Sequence, residues 1–218
     1  MQSKNNYESM IPDGLIVFIS GVPGVGKTTI SYELLKNIGK FRIIEETDLV
    51  REILRGYNNH LKLKFGSQID FIFEKEQITD HTKLLTYDEA KDQCNIMKKS
   101  FEQIVARQQR KGIASIINGV HVIPEVLNGI AENNNIVYIN LYVTNEQEIY
   151  ERISNRDPVS YMLDYIPLIF ETNKDLYLNT KKISSHCNYI FNVDVTGLSI
   201  ADVINKIIMY IKSRTEKK

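Results

Sequence analysis

The chain has 218 residues, 43% of them hydrophobic, enough to bury a full core within a single domain. Lysine plus arginine balance aspartate plus glutamate at 27 each, so no global positive field exists to draw the chain onto bulk nucleic acid or an anionic membrane. Cys94 and Cys187 lie far apart and form no ligand-spaced cluster, which argues against a disulfide scaffold or a zinc site and fits a reducing compartment.

Residues 1–12 are polar and hold no basic stretch followed by an apolar one, so neither a secretion signal nor an anchor is expected. No apolar run approaches the roughly 18 residues of a membrane span, and the expectation is a soluble, cytoplasmic protein with frayed tails at 1–12 and 213–218. Leu15 to Ile19 form a short apolar run of buried-strand type. Directly after it, Gly21-Val22-Pro23-Gly24-Val25-Gly26-Lys27-Thr28 fits the phosphate-cradling pattern G-x-x-x-x-G-K-[ST]. Ile30, Leu34 and Ile38 then repeat at helical spacing until Gly39 supplies a stop, which completes the strand-loop-helix setting the pattern requires. Glycines let successive N–H groups converge on one anion, and the helix that follows presents its positive end to phosphates. Lys27 is expected to bridge the β- and γ-phosphates of a nucleoside triphosphate and Thr28 to place its hydroxyl on Mg²⁺. Thr29 is a weaker candidate for a contact near the α-phosphate.

A second strand is expected over Phe41 to Ile44, followed by Glu45-Glu46-Thr47-Asp48 and a short helix carrying Arg51 and Glu52. In parallel α/β sheets ligands sit beyond the carboxyl ends of the strands, so Asp48 is a candidate to accept the proton of an acceptor hydroxyl; it suits a helix N-cap equally in chemistry. Arg51, one turn on, would bind an anionic group of the acceptor or pair with a neighbouring acid. Residues 57–85 mix polar and aromatic types and interrupt the strand-helix alternation, either as a substrate-covering insertion or as a plain surface excursion.

Thr86 and Glu89 make a capping box for a helix from Tyr87 to about Lys111, whose stripe of Ala90, Cys94, Met97, Phe101 and Ile104 reads as core. Ile113 to Ile117 form the third strand. It leads into Asn118-Gly119-Val120-His121, with Pro124 at a helix start. Asn118, Gly119 and His121 are candidate acceptor contacts: Gly119 allows close backbone approach, and His121 either touches the substrate or is a satisfied polar residue. The fourth strand is expected over Ile136 to Val143, with Thr144 and Gln147 capping a helix through about Ile153. Arg152 and Arg156 lie four apart on one face before Asp157-Pro158. A lid at about 152–160 would deliver both to a transferring phosphoryl group, the alternative being a solvated basic face. Tyr189 to Phe191 form the last strand, and Ile200, Val203, Ile207 and Ile211 the final helix.

Five strands alternating with helices imply a three-layer α/β domain built on a mostly parallel sheet, with right-handed crossovers and helices on both faces. The switch motifs of a GTPase are only imitated. Asn173-Lys174-Asp175-Leu176 lacks the final acid and reads as helix, and Asp194-Val195-Thr196-Gly197 follows the last strand.

Taken together, Gly21 to Thr29, Thr47-Asp48-Leu49-Val50-Arg51-Glu52, Gly119-Val120-His121-Val122-Ile123-Pro124, the Arg152/Arg156 pair and Asn192-Val193-Asp194 resemble the small P-loop kinases, and within them the 2-phosphoglycerate-kinase-like branch. The resemblance spans Gly14 to Asp194, beyond the N-terminal domain of archaeal 2-phosphoglycerate kinases. It implies a five-stranded core of nucleoside-kinase-like strand order, with ATP and Mg²⁺ as donor and a small hydroxylated, often phosphorylated, acceptor. Where that branch often has Glu before the Gly-Val-His run, this chain has Asn118. The expected activity is transfer of the γ-phosphoryl group to a small-molecule hydroxyl. The alternatives are a kinase acting on RNA, a tRNA-linked amino acid or a nucleotide-sugar, and a nucleotide-dependent switch or ATPase that binds a protein partner.

Overall fold

The computed structural model describes residues 11–65, 85–131 and 135–215. Five strands, β1 (Ile16–Ser20), β2 (Phe41–Glu46), β3 (Ala114–Asn118), β4 (Ile136–Tyr142) and β5 (Ile190–Asp194), form one sheet in the order β2-β3-β1-β4-β5. Every pairing is parallel, with Val17 opposite Ile116 on one side and Val137 on the other. Among the described residues seven helices connect and cover them: α1 (Lys27–Asn37), α2 (Thr47–Phe65), α3 (Tyr87–Arg110), α4 (Pro124–Ala131), α5 (Glu146–Arg156), α6 (Ile166–Ser184) and α7 (Ile200–Thr215), with a 3₁₀ turn at Tyr161–Tyr165.

The period-2 geometry of strands divides the core in two. Val17, Ile19, Ile116, Val137, Ile139 and Leu141 face α1 and α7, where they meet Leu34, Ile38, Ile207 and Ile211. Ile16, Phe18, Ile117 and Tyr138 face the other way, onto Cys94, Met97 and Phe101 of α3 and Leu127 of α4. Phe18 stacks on Tyr138 at 5.0 Å and meets Phe101 edge-on at 6.5 Å, a geometry that favours offset and T-shaped ring pairs. With both faces covered, β1 is buried along its whole length, which places its carboxyl end and the loop after it at the centre of the molecule.

Several boundaries differ from the sequence expectation. β2 continues through Glu45 and Glu46, and the helix after it is 19 residues long, so positions 57–65 extend α2. The rest of the expected 57–85 insertion, residues 66–84, lies outside the described residues, as do 1–10 and 216–218 of the expected tails. The cap of α5 is Asn145, whose side chain accepts from Gln147 N at 3.0 Å, and the helix runs on to Arg156. Thr144 instead turns towards the β5–α7 loop, its hydroxyl 3.1 Å from that of Thr196. Helix α6, of which the sequence expectation held only Asn173 to Leu176 as helix, starts with Pro167 in its first turn and buries Ile166, Ile169 and Leu176. Its Asn173 accepts from Val143 N at 3.2 Å and donates to Val143 O at 2.8 Å, satisfying the backbone where β4 ends.

Candidate active site

The loop from β1 to α1 is shaped by three glycines with positive φ. At Gly21 (φ +144) a Cβ would stand 2.7 Å from Leu141 O and from a methyl of Val25, so no side chain fits. Gly26 caps α1 in the left-handed region with no side-chain hydrogen bond to the helix, which leaves the first N–H groups of α1 to an external anion. Lys27 Nζ donates to Val22 O at 2.9 Å across the loop. Burial lowers its pKa to about 8, opposed by Asp48 and reinforced by Arg156. Thr28 and Thr29 stand exposed at the mouth.

Beneath the loop, Asn118 is buried and Nδ2 donates to Ser31 Oγ at 2.8 Å; Ser31 Oγ in turn donates to Lys27 O at 2.8 Å. Asn118 therefore props the first turn of α1. Across the carboxyl edge, α2 starts at Thr47, so Asp48 lies in its first turn, where a carboxylate is favoured by the helix dipole. Asp48 Oδ1 lies 3.6 Å from an Arg51 guanidinium nitrogen and 3.7 Å from His121 Nδ1. Arg51 Nε also meets Glu52 Oε1 at 3.3 Å.

Of the two readings of His121, the geometry favours the satisfied polar residue: its side chain is 0% exposed and its Nδ1 sits 3.0 Å from Thr47 Oγ1. Burial drives its pKa down to about 4, so the ring is neutral at pH 7. Gly119 is packed so closely beneath the same threonine that a Cβ would lie inside Thr47 Oγ1. Gly119, Thr47 and His121 thus lock the β2–α2 and β3–α4 corners together below Asp48.

On the other flank, Arg152 donates to Val25 O at 3.4 Å and to Val195 O at 2.7 Å, while pairing with Glu148 Oε2 at 2.7 Å. Arg156, one turn further, is exposed and reaches Met162 Sδ at 3.9 Å. Both arginines line a cavity of about 460 Å³ together with Lys27, Thr28, Val195 and Ile200. A second cavity of about 120 Å³ lies on the opposite side of the loop, where Gly21 to Pro23 meet Asp48 and Arg51. Pro23 belongs to both. Among the described residues no group of three or more His, Cys, Asp or Glu is placed to hold a metal ion.

Sequence reasoning missed Thr47, Ser31, Glu148 and the apolar wall at Val195 to Val203. Ser31 and Glu148 were legible as residues one helical turn from Lys27 and Arg152, and the wall as the segment beyond the last strand.

A family model described as "AAA domain" matches residues 17–161. Among curated proteins, a 2-phosphoglycerate kinase of Pyrococcus horikoshii is 26% identical over 211 residues, covering 92% of this chain and 65% of that protein. One from Methanocaldococcus jannaschii is 28% identical over 186 residues, covering 77% of this chain and 56% of that protein. The chain thus spans less than two thirds of the length of these relatives. Among solved structures, a gluconokinase from Sinorhizobium meliloti superposes with a TM-score of 0.56 at 13% identity, covering 94% of this chain and 96% of that one. A shikimate kinase from Acinetobacter baumannii, in complex with shikimate, gives 0.53 at 17% identity, covering 97% and 98%. Both are likenesses of fold. The family model takes in the phosphate loop, Asp48, the Gly119 corner and both arginines, over well more than half of the sequence, and the chain belongs to this AAA-domain family.

Proposed function

We propose that this chain is an ATP-dependent kinase that transfers the γ-phosphoryl group to a hydroxyl of a small molecule. The observation that carries the reading is the pair of cavities meeting at one phosphate loop, the larger beside Lys27 and Thr28, the smaller beside Asp48. Donor phosphates fit the uncapped start of α1, with Lys27 exchanging Val22 O for phosphate oxygen. Bound Mg²⁺ would neutralise phosphate charge, and the Thr28 hydroxyl would be its protein ligand. The base and ribose then lie towards Val195 and Ile200, with Arg152 setting the wall.

In the reaction the acceptor oxygen forms a bond to γ-phosphorus as the bond from that phosphorus to the β-bridging oxygen breaks, leaving ADP. Asp48 orients the acceptor hydroxyl and takes its proton. Arg156, which makes no ion pair among the described residues, is the cation placed to offset charge on the transferring group. The acceptor enters by the smaller cavity, where Arg51 supplies a cation; 2-phosphoglycerate is the first acceptor to test, from the names of the relatives. Among the described residues no helix is long and apolar enough to cross a membrane. The need for ATP and two free thiols support a cytoplasmic site of action.

The test is purified full chain with MgATP and a panel of hydroxylated metabolites, 2-phosphoglycerate included, read by phosphorus NMR, with labelled RNA as a separate arm. The expected result is one new phosphate ester, with Asp48→Asn reducing kcat by about 10²-fold or more. Phosphorylated RNA, or hydrolysis of ATP with no ester formed, would overturn the reading.

A further inference from the structure

We infer that the acceptor is a compact hydroxy acid with one anionic group and an apolar body. The inference rests on the kinase reading and narrows its acceptor.

The smaller cavity is walled by Tyr87 and Ala90 from α3, Val120 and Ile123 from the β3–α4 corner, and Ile169 and Leu176 from α6. Two polar side chains of this lining are already engaged. Tyr87 donates its hydroxyl to Glu125 Oε2 at 3.0 Å, so it presents a ring, and Thr172 donates to Leu85 O at 3.3 Å. The charged side chains lining the cavity among the described residues are Asp48 and Arg51. Arg51 is only 14% exposed and already lies against two carboxylates, Asp48 at 3.6 Å and Glu52 at 3.3 Å. Lys27 lines the larger cavity and, on the kinase reading, is taken by the donor phosphates.

Among the described residues, an entering carboxylate therefore finds one guanidinium. A second anionic group would have to sit against hydrocarbon or beside Asp48, and burying a charge without a partner is heavily disfavoured. Size points the same way: about 120 Å³ compares with the roughly 150 Å³ of an engineered apolar cavity that takes benzene, so an apolar group of a few carbons fills it. A hydroxyl next to the carboxylate is then held between Arg51 and Asp48, facing the γ-phosphoryl group across Pro23.

The experiment compares four acids on the full chain: 2-hydroxyisovalerate and 3-phenyllactate (one anion, apolar body), glycerate (one anion, polar body) and 2-phosphoglycerate (several negative charges). Binding is measured by calorimetry with and without MgADP, and turnover with MgATP. At least one apolar acid should bind and react with kcat/KM about 10-fold or more above glycerate and 2-phosphoglycerate, the discrimination expected of a few methylenes in an apolar pocket. Arg51→Gln should weaken that binding about 10-fold or more while leaving MgADP affinity unchanged, which also reports that the variant is folded. Equal or better binding of 2-phosphoglycerate or glycerate overturns the inference, as does a chain that binds MgADP and none of the apolar acids. If an apolar acid binds but no ester forms, the kinase reading falls and the assignment of the cavity stands.

Discussion

Enclosure pushes the Lys27 ammonium down to about 8, with Asp48 opposing the shift and Arg156 adding to it. A phosphate in the loop favours the charged form, so the pKa rises on binding. Below pH 8 free and bound protein are both protonated and affinity is flat; above it, binding must take up a proton and weakens by up to tenfold per pH unit. Titrating MgADP from pH 7 to 9.5 in buffers of different ionisation enthalpy should show this uptake, and Lys27→Arg should abolish it. His121 has the opposite consequence for the fold. Its pKa falls from 6.5 to about 4, so the unfolded chain binds the extra proton first, and the stability held above pH 6.5 is lost as pH falls towards 4. At this scale the sequence showed residue types but not their orientation. Lys27 was legible from its motif; whether His121 faced a ligand or Thr47 depended on Gly119 allowing the two corners to touch, a contact between residues 74 apart. Asn118 is similar, since only the register of β3 beside β1 shows that it supports Ser31.

Helices α3 and α5 show where local signals suffice and where they do not. The Thr86–Glu89 box is purely local, and both of its hydrogen bonds form: Glu89 N to Thr86 Oγ1 at 3.3 Å and Thr86 N to Glu89 Oε2 at 3.0 Å. Thr86→Ala should cost about 1 kcal/mol of stability, read as a lower urea midpoint with unchanged m-value. At α5 the same motif misled. Thr144 with Gln147 fits the pattern, but Thr196 on the neighbouring loop takes the Thr144 hydroxyl and the next residue, Asn145, serves as the cap. The extent of α6 beyond Asn173 to Leu176 was hidden because its buried face mixes Ile166, Ile169 and Leu176 with Thr172, Asn173 and Thr180, which blurs the apolar period. The resemblance of Asn173 to a guanine-reading motif ends in its clamp on Val143.

For the whole molecule, strand number and the parallel sheet follow from the alternation of strands and helices, and the order of the five strands agrees with what the family resemblance implies. What the sequence could not supply was the division of the carboxyl edge into two cavities, because their walls come from elements as distant as Val22, Ala90 and Leu176. On the proposed donor site, which exists only in the folded chain, MgADP at about 100 times its Kd should add about 2.7 kcal/mol and raise Tm by roughly 5 to 10 °C in scanning calorimetry. An unchanged Tm under those conditions would count against a nucleotide site.

Arg152 also decides which part of the molecule is free to swing. Tied to Val25 O on the phosphate loop, to Val195 O beyond β5 and to Glu148 on its own helix, it pins α5 to the sheet edge, and Gly24 packs closely against Ile149 and Ile153 from below. Beyond Arg156 the chain leaves the helix at Asp157, and Val159 is 91% exposed before the 3₁₀ turn. A lid closing over this rim, as the sequence expectation has it, would accordingly hinge at Asp157 rather than at Arg152. Its moving part would be the short arm from Pro158 to Met162, with Arg156 at the pivot.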